Sequence, residues 1–512
     1  STDGESYTDT NIGFRIYGGN NEGGNTNESN ITLNNGYAME VYGGNNLGGT
    51  TVVTNIRFNN GTVESIYGGG NQAESTTTNI ALNGGTSTNV FGGGNQAEVT
   101  TSNVNINGGT STNIYGGGNQ AGVQTTNLNT TTSTTMNVTN IFGGSNQSGN
   151  VTKANIDIKA GTYTNIYGGN NKGGVTTEPI IDISNGTIEN VYGGGNEAVV
   201  TKTKITITGG NINDVYGGGN AAAITENTNL TITGGTIKHN TYGGGNFGVV
   251  NGSTNVVIQN GTIGGSAYGG GNGTTATVKG NTNIAVGGTT TIGTTACQKP
   301  SDCSLFGGGN AAATGDDTNN NSTANVELAG GTIFGNVYGG ANTSVVYGQT
   351  KLNIGAEVTD TNITKGNILI SGTVFGGGEA NASGSDDYDY TFISVTKAIE
   401  VLINGKDYTS FDILGSIFGS GNASSSGGTS KIDIKNYGTY ANPKRNISIQ
   451  RTNTLTIDNS ALVLKGATDR TNDYSDVLFT LSIIDKLNLK NNSTLYLETG
   501  SNLLKEFNSL AS

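Results

Sequence analysis

The chain has 512 residues, of which 87 are Gly, three are Pro and none is Trp; 12% are charged, and the formal net charge is −13. Gly does not fall at every third position, which excludes collagen, and an acidic chain without a run of Lys or Arg is a poor partner for nucleic acid. No apolar stretch is long enough to cross a membrane as a helix. Disorder is the competing reading of so much Gly, Asn, Thr and Ser, and periodic pairs of Ile, Val and Leu argue against it.

From Ser1-Thr2-Asp3-Gly4 the chain runs into the repeat without a signal peptide, as a processed chain or a piece of a longer one would. An aromatic residue followed by glycines and an Asn then recurs fifteen times. The rings are Tyr17, Tyr42, Tyr67, Phe91, Tyr115, Phe142, Tyr167, Tyr192, Tyr216, Tyr242, Tyr268, Phe306, Tyr338, Phe375 and Phe418. Their steps are 25, 25, 24, 24, 27, 25, 25, 24, 26 and 26 residues up to Tyr268, then 38, 32, 37 and 43. Such a period signifies one supersecondary unit copied and stacked.

Residues 78–101 show one copy. Thr78-Asn79-Ile80-Ala81-Leu82-Asn83 alternates as a strand with Ile80 and Leu82 inward. The same inward pair recurs at Ile56 and Phe58, Val104 and Ile106, Ile156 and Ile158, Ile181 and Ile183, Ile205 and Ile207, and Leu230 and Ile232. The outward residue between them varies: Arg57, Ala81, Asn105, Asp157, Asp182, Thr206, Thr231. A Gly84-Gly85-Thr86 turn leads to a second strand ending in Val90-Phe91, and after Gly92-Gly93-Gly94-Asn95 a third strand buries Ala97 and Val99. This punctuation excludes helix. The fold expected is all-β: a single-stranded parallel β-helix, or β-solenoid, with three short strands per rung of about 24–25 residues. Fifteen rungs at the spacing of paired strands would form a rod on the order of 70 Å long.

The Asn after the glycines stands at Asn21, Asn46, Asn71, Asn95, Asn119, Asn146, Asn171, Asn196, Asn220, Asn246, Asn272, Asn310, Asn342 and Asn422, and Glu379 alone breaks the column. An amide both donates and accepts, so identical side chains one rung apart can form a structural ladder. The rings pack on one another or form an outward stripe on which sugars could stack; packing is favoured. The aliphatic residue before each ring is expected inside and the ring outside, leaning across the glycines.

Residues 1–268 form the regular repeat and 269–422 a repeat with insertions, while 423–512 continue as divergent coils with alternation at Lys431-Ile432-Asp433-Ile434, Leu455-Thr456-Ile457, Leu487-Asn488-Leu489 and Leu495-Tyr496-Leu497. The insertions are the Cys297–Cys303 loop, residues 314–321 and residues 382–390. A disulfide between Cys297 and Cys303 is preferred to free thiols and to zinc, and suits an oxidising compartment. Asp386, Asp387 and Asp389 offer oxygen ligands that calcium would accept, against the plainer reading of a solvated loop. No other cofactor is expected.

With Gly-Gly-Thr turns and the Tyr-Gly-Gly-Gly-Asn motif over roughly residues 11–422, the chain resembles the glycine-rich parallel β-helix regions of large secreted bacterial surface proteins of the adhesin type. That resemblance implies export, a cell-surface location, and a stalk or adhesive role toward a glycan or a surface receptor. Three functions follow: a non-enzymatic adhesin or stalk, a filament subunit associating end to end through rung edges, and a polysaccharide-binding or polysaccharide-degrading β-helix. An enzyme is disfavoured because Asp316, Asp317, Asp386 and Asp387 lie in loops without basic partners in register. Ice binding is disfavoured by the mixed outward residues.

Overall fold

A computed structural model describes residues 14–133, 135–297, 299–318, 320–356, 359–360, 362–379, 392–422, 424–464, 481–497 and 510–511. Among them the only helix is a 3-10 turn, Pro300–Cys303, and strands pair in parallel with the equivalent strand one rung on. This is a parallel β-solenoid. The chain divides into two compact units, Ser1–Glu178 and Pro179–Ser512.

In the first unit two strands alternate. Long ones, such as Thr51–Phe58, Ser75–Leu82, Val99–Ile106 and Val123–Thr130, have eight residues; short ones, such as Thr62–Tyr67, Thr86–Phe91 and Thr110–Tyr115, have six and end on the ring. The register is uninterrupted: Ile56 lies opposite Ile80, Ile80 opposite Val104, and Val104 opposite Leu128. These residues are at most 1% exposed, so the core is a column of β-branched and Leu side chains, each covered by its copy. The third strand expected after the Asn is here the leading part of the next long strand. Val99-Thr100 continues without a turn into Asn103-Val104. Two consecutive outward residues, Val52 and Val53 in the strand Thr51–Phe58, shift the inward phase between the two parts.

The glycine after each ring is required by close approach. A Cβ on Gly68 would lie 2.2 Å from the carbonyl oxygen of Gly92 and 3.0 Å from Thr78 Cβ. That threonine belongs to a buried hydroxyl column that clamps the bend: Thr54 donates to Gly68 O, Thr78 to Gly92 O and Thr126 to Gly143 O, each at 2.6 Å. In the turn between long and short strands Gly61 has φ +107°, which a side chain would strain.

Two rungs replace the third glycine with a buried Asn. Asn45 donates to Gly24 O at 2.8 Å and to Gly48 O at 3.0 Å while accepting from Thr51 Oγ1 at 3.2 Å. Asn170 repeats this with Gly149 O and Gly173 O, both at 2.8 Å, and Thr176 Oγ1 at 2.9 Å. In the neighbouring all-glycine rungs the position of Thr51 or Thr176 is Ser75, Val99 or Val123. In these two rungs the buried Asn enters the core together with a Thr that bonds to it; the buried hydroxyl of Ser75, in a rung with three glycines, has no partner among the described residues.

The second unit keeps the long-strand register: Ile205 opposite Leu230, Leu230 opposite Val256, Val256 opposite Ile284, Ile284 opposite Val326 and Val326 opposite Leu352. The third segment separates into a run of bridges, Val200 to Ile224, Val250, Val278, Thr314, Val346 and Val395. Thr314, expected to begin an insertion, is a buried rung residue, and the inserted loop starts after it. From Thr236–Ile237 and Thr241–Tyr242 onward the ring strand is split in two, and the cysteine loop enters at this split, between Thr291–Ile292 and Leu305–Phe306. The coil continues after Phe418: Ile432 faces Leu455, Leu455 faces Leu487, and Leu462 faces Leu495.

Candidate functional site

The rings form columns. In the first unit, successive centroids from Tyr17 to Tyr167 are 4.6–4.9 Å apart with planes within 9°. In the second, the stack runs from Tyr192 through Tyr216, Tyr242, Tyr268, Phe306, Tyr338 and Phe375 to Phe418 at 4.6–5.0 Å, and only the last pair opens to 25°. Each ring covers the face of its neighbour. From Tyr42 onward none of the column rings is more than 9% exposed, and the aliphatic residues before them, such as Val41, Ile66 and Val90, are fully buried too. The expectation of an outward ring is therefore corrected: both residues are covered, because the bend at the glycines carries the chain round a corner at the ring. Burial pushes the phenols of Tyr67, Tyr115 and Tyr167 up to about 12. Stacked faces and buried phenols offer no sugar platform.

The Asn side chains after the glycines bond in sequence. In the first unit each Nδ2 donates to the Oδ1 one rung back, from Asn46 to Asn21 at 2.7 Å through to Asn171 to Asn146 at 2.9 Å. In the second unit the run Asn196, Asn220, Asn246, Asn272, Asn310, Asn342 does the same at 2.8–3.0 Å. Beyond it, Asn422 donates to Glu379 Oε1 at 3.1 Å, and burial holds the Glu379 carboxyl above its usual range. Three further amide ladders escaped the sequence reading. They run through Asn55, Asn79, Asn103, Asn127 and Asn155 on the long strand, through Asn59, Asn83 and Asn107 in the turn, and through Asn89, Asn113, Asn140 and Asn165 on the short strand. Their signal was an Asn recurring at a fixed offset, just before an inward Ile, Val or Leu or at the glycine turn.

A disulfide joins Cys297 and Cys303, whose Cα atoms are 6.2 Å apart. The calcium candidates Asp386, Asp387 and Asp389 lie outside the described residues. Asp316 accepts from the backbone and hydroxyl of Thr318 at 2.9 and 2.6 Å. Among the described residues no three His, Cys, Asp or Glu side chains gather to hold a metal ion.

One concavity stands apart, on the outward face of the long strands of the second unit. A groove of about 550 Å³ is floored by Asn255, Asn283 and Asn325 and by Val257, Ala285 and Glu327, with Lys351, Asn353, Thr359 and Asp360 around it. Its wall is formed by Thr359, Asp360, Ile363 and Thr364, which lie over earlier rungs. Glu327 takes Thr359 Oγ1 at 2.6 Å and Asp360 N at 2.8 Å. Further along, Thr364 N donates to Gln259 Oε1 at 2.9 Å across 105 residues of sequence, Gly288 N donates to Thr364 O at 2.9 Å, and Ile363 packs on Ala285 and Ala329. The wall is thus fixed to the rungs of Gln259, Ala285 and Glu327.

No family model matches the chain, and no curated protein or solved structure does either. What its geometry defines is the class: a parallel β-solenoid repeat protein.

Proposed function

We propose that this chain is a non-enzymatic extracellular structural or adhesive protein, a rigid β-solenoid stalk or adhesin at a bacterial surface. The observation that carries the reading is the engagement of the repeated side chains. Rings stack on rings, amides bond to amides, and hydroxyls hold glycine carbonyls, as in Thr78 to Gly92 O. A motif engaged in this way in rung after rung supplies stiffness, and stiffness is what a stalk needs. The cysteine bridge fits an oxidising exterior. Of the two carboxylates in the groove, Glu327 is committed to holding the loop at Thr359 and Asp360, which leaves it poorly placed for proton transfer. Export and a bacterial surface rest on the resemblance of the repeat.

Negative-stain electron microscopy of the purified chain tests this. Uniform short rods are expected. Long fibres growing end to end would contradict the stalk and favour the filament subunit, in which the edge of one copy pairs with the next.

A further inference from the structure

Within the second unit the long-strand amide ladder runs Asn229, Asn255, Asn283, Asn325, each donating one rung back at 2.7–3.1 Å. It stops inside the groove, because the register partner of Asn325 on the next rung is Lys351. Lys351 donates nothing back, so Asn325 Oδ1 has no ladder partner. Lys351 Nζ is without an acceptor among the described residues, although Glu400 is its register neighbour on the far side. The amide of Asn353 likewise has no partner among them, and Asp360 uses only Oδ1, for the backbone and side chain of Asn362. These four side chains are half-buried and line one groove. Beside a ladder whose amides are bonded rung to rung, four polar groups without a ladder partner line one groove next to a wall fixed to three rungs. Half-exposed polar groups that the protein itself leaves unbonded, gathered in one concavity, can exchange water for the polar groups of a ligand.

We propose that this groove binds a segment of an oligosaccharide. An ammonium, two amides and a carboxylate together present both donors and acceptors, the mixture that vicinal hydroxyls answer. Val257, half-buried beside the Ala285–Ile363 cluster, is the apolar side chain the groove can offer to the C–H face of a sugar ring. Asn255, Asn283, Asn325 and Lys351 follow one another rung by rung along the groove, so successive units of a chain-like ligand can meet successive rungs. A peptide would instead seek an exposed strand edge, and this surface is a sheet face whose backbone groups are already paired. The proposal rests on the adhesive reading above and names its ligand class.

The test is the full chain on an array of neutral and uronic-acid-containing oligosaccharides, followed by calorimetry with the strongest hit. Asn353→Ala and Lys351→Met are each expected to weaken binding at least about tenfold, with unchanged thermal unfolding. Asn105→Ala, at the matching outward position of the first unit, is expected to leave binding intact. Absence of binding to every saccharide, or binding indifferent to both groove variants, would overturn the groove as the site. Short rods seen by microscopy together with such a result would leave the stalk reading standing, so the two can fail separately.

Discussion

Asn105 and Asn353 both sit between the two inward residues of a long strand, Val104 and Ile106 in one case, Leu352 and Ile354 in the other. Asn105 is open to solvent in a unit where one rung follows another without interruption; Asn353 faces a groove beneath an inserted segment. The same residue on the same scaffold acquires a different environment solely from what is added outside the coil. Regular rungs supply rigidity, and specific chemistry collects where a loop returns over them.

Five variants sharpen or break that contrast. The largest effect belongs to the shared scaffold: Tyr115→Ala in the first unit and Tyr338→Ala in the second should each cost about 3–5 kcal/mol in chemical unfolding, since both rings are sandwiched. A loss in one unit and indifference in the other would show that the columns are not equivalent. Next comes the hydroxyl clamp. Thr78→Val keeps shape but strips the buried Gly92 carbonyl of its donor, so denaturant unfolding should report a loss of about 1–3 kcal/mol. The rung of Ala154, which aligns with Thr126 and has no hydroxyl, shows that the coil tolerates one such gap.

An opposite sign is expected at Thr314, whose buried hydroxyl has no partner and whose bridge neighbours are Val278 and Val346. Thr314→Val should raise stability by about 1 kcal/mol; a fall would mean that the hydroxyl is bonded in solution. The smallest effect concerns pH. The Glu379 carboxyl is held above its usual range by burial, so the folded chain keeps a proton that the unfolded chain has released. Stability from this group is complete below the ordinary carboxylate range and is lost as pH rises through the higher folded value. Glu379→Gln should flatten that slope in pH-dependent unfolding, and an unaltered slope would assign it to other groups.

Much of the scaffold was legible because stacking copies one residue type into one column. Tyr or Phe at every ring and Asn after every glycine bend but that before Glu379 read directly as columns, and Ile80 and Leu82 read as inward from alternation alone. The clamp was harder to see, because Ser29, Thr54, Thr78, Ser102 and Thr126 share a hydroxyl rather than an identity, in a chain where Thr is everywhere. The rung type with Asn45 and Thr51 in the core was hidden for a related reason: its signal is a pair of changes six residues apart. The direction of the rings could not follow from alternation, since Val41 and Tyr42 are consecutive and both buried. Least legible was the groove. Gln259 and Thr364 meet across 105 residues, and neither belongs to a motif.

Hydrogen exchange of the intact chain, resolved by peptide, tests the central claim that the repeated motif is structural and the inserted wall is not. The motif amides donate between rungs in both units, as Gly68 N does to Phe91 O at 2.8 Å and Gly243 N to Tyr268 O at 2.9 Å. Slow exchange is predicted at these glycines throughout, with faster exchange at Thr359, Asp360 and Asn362 of the wall. Motif glycines that exchange as fast as the wall would contradict it, because the copies would then be exposed loops rather than the bends that lock one rung to the next.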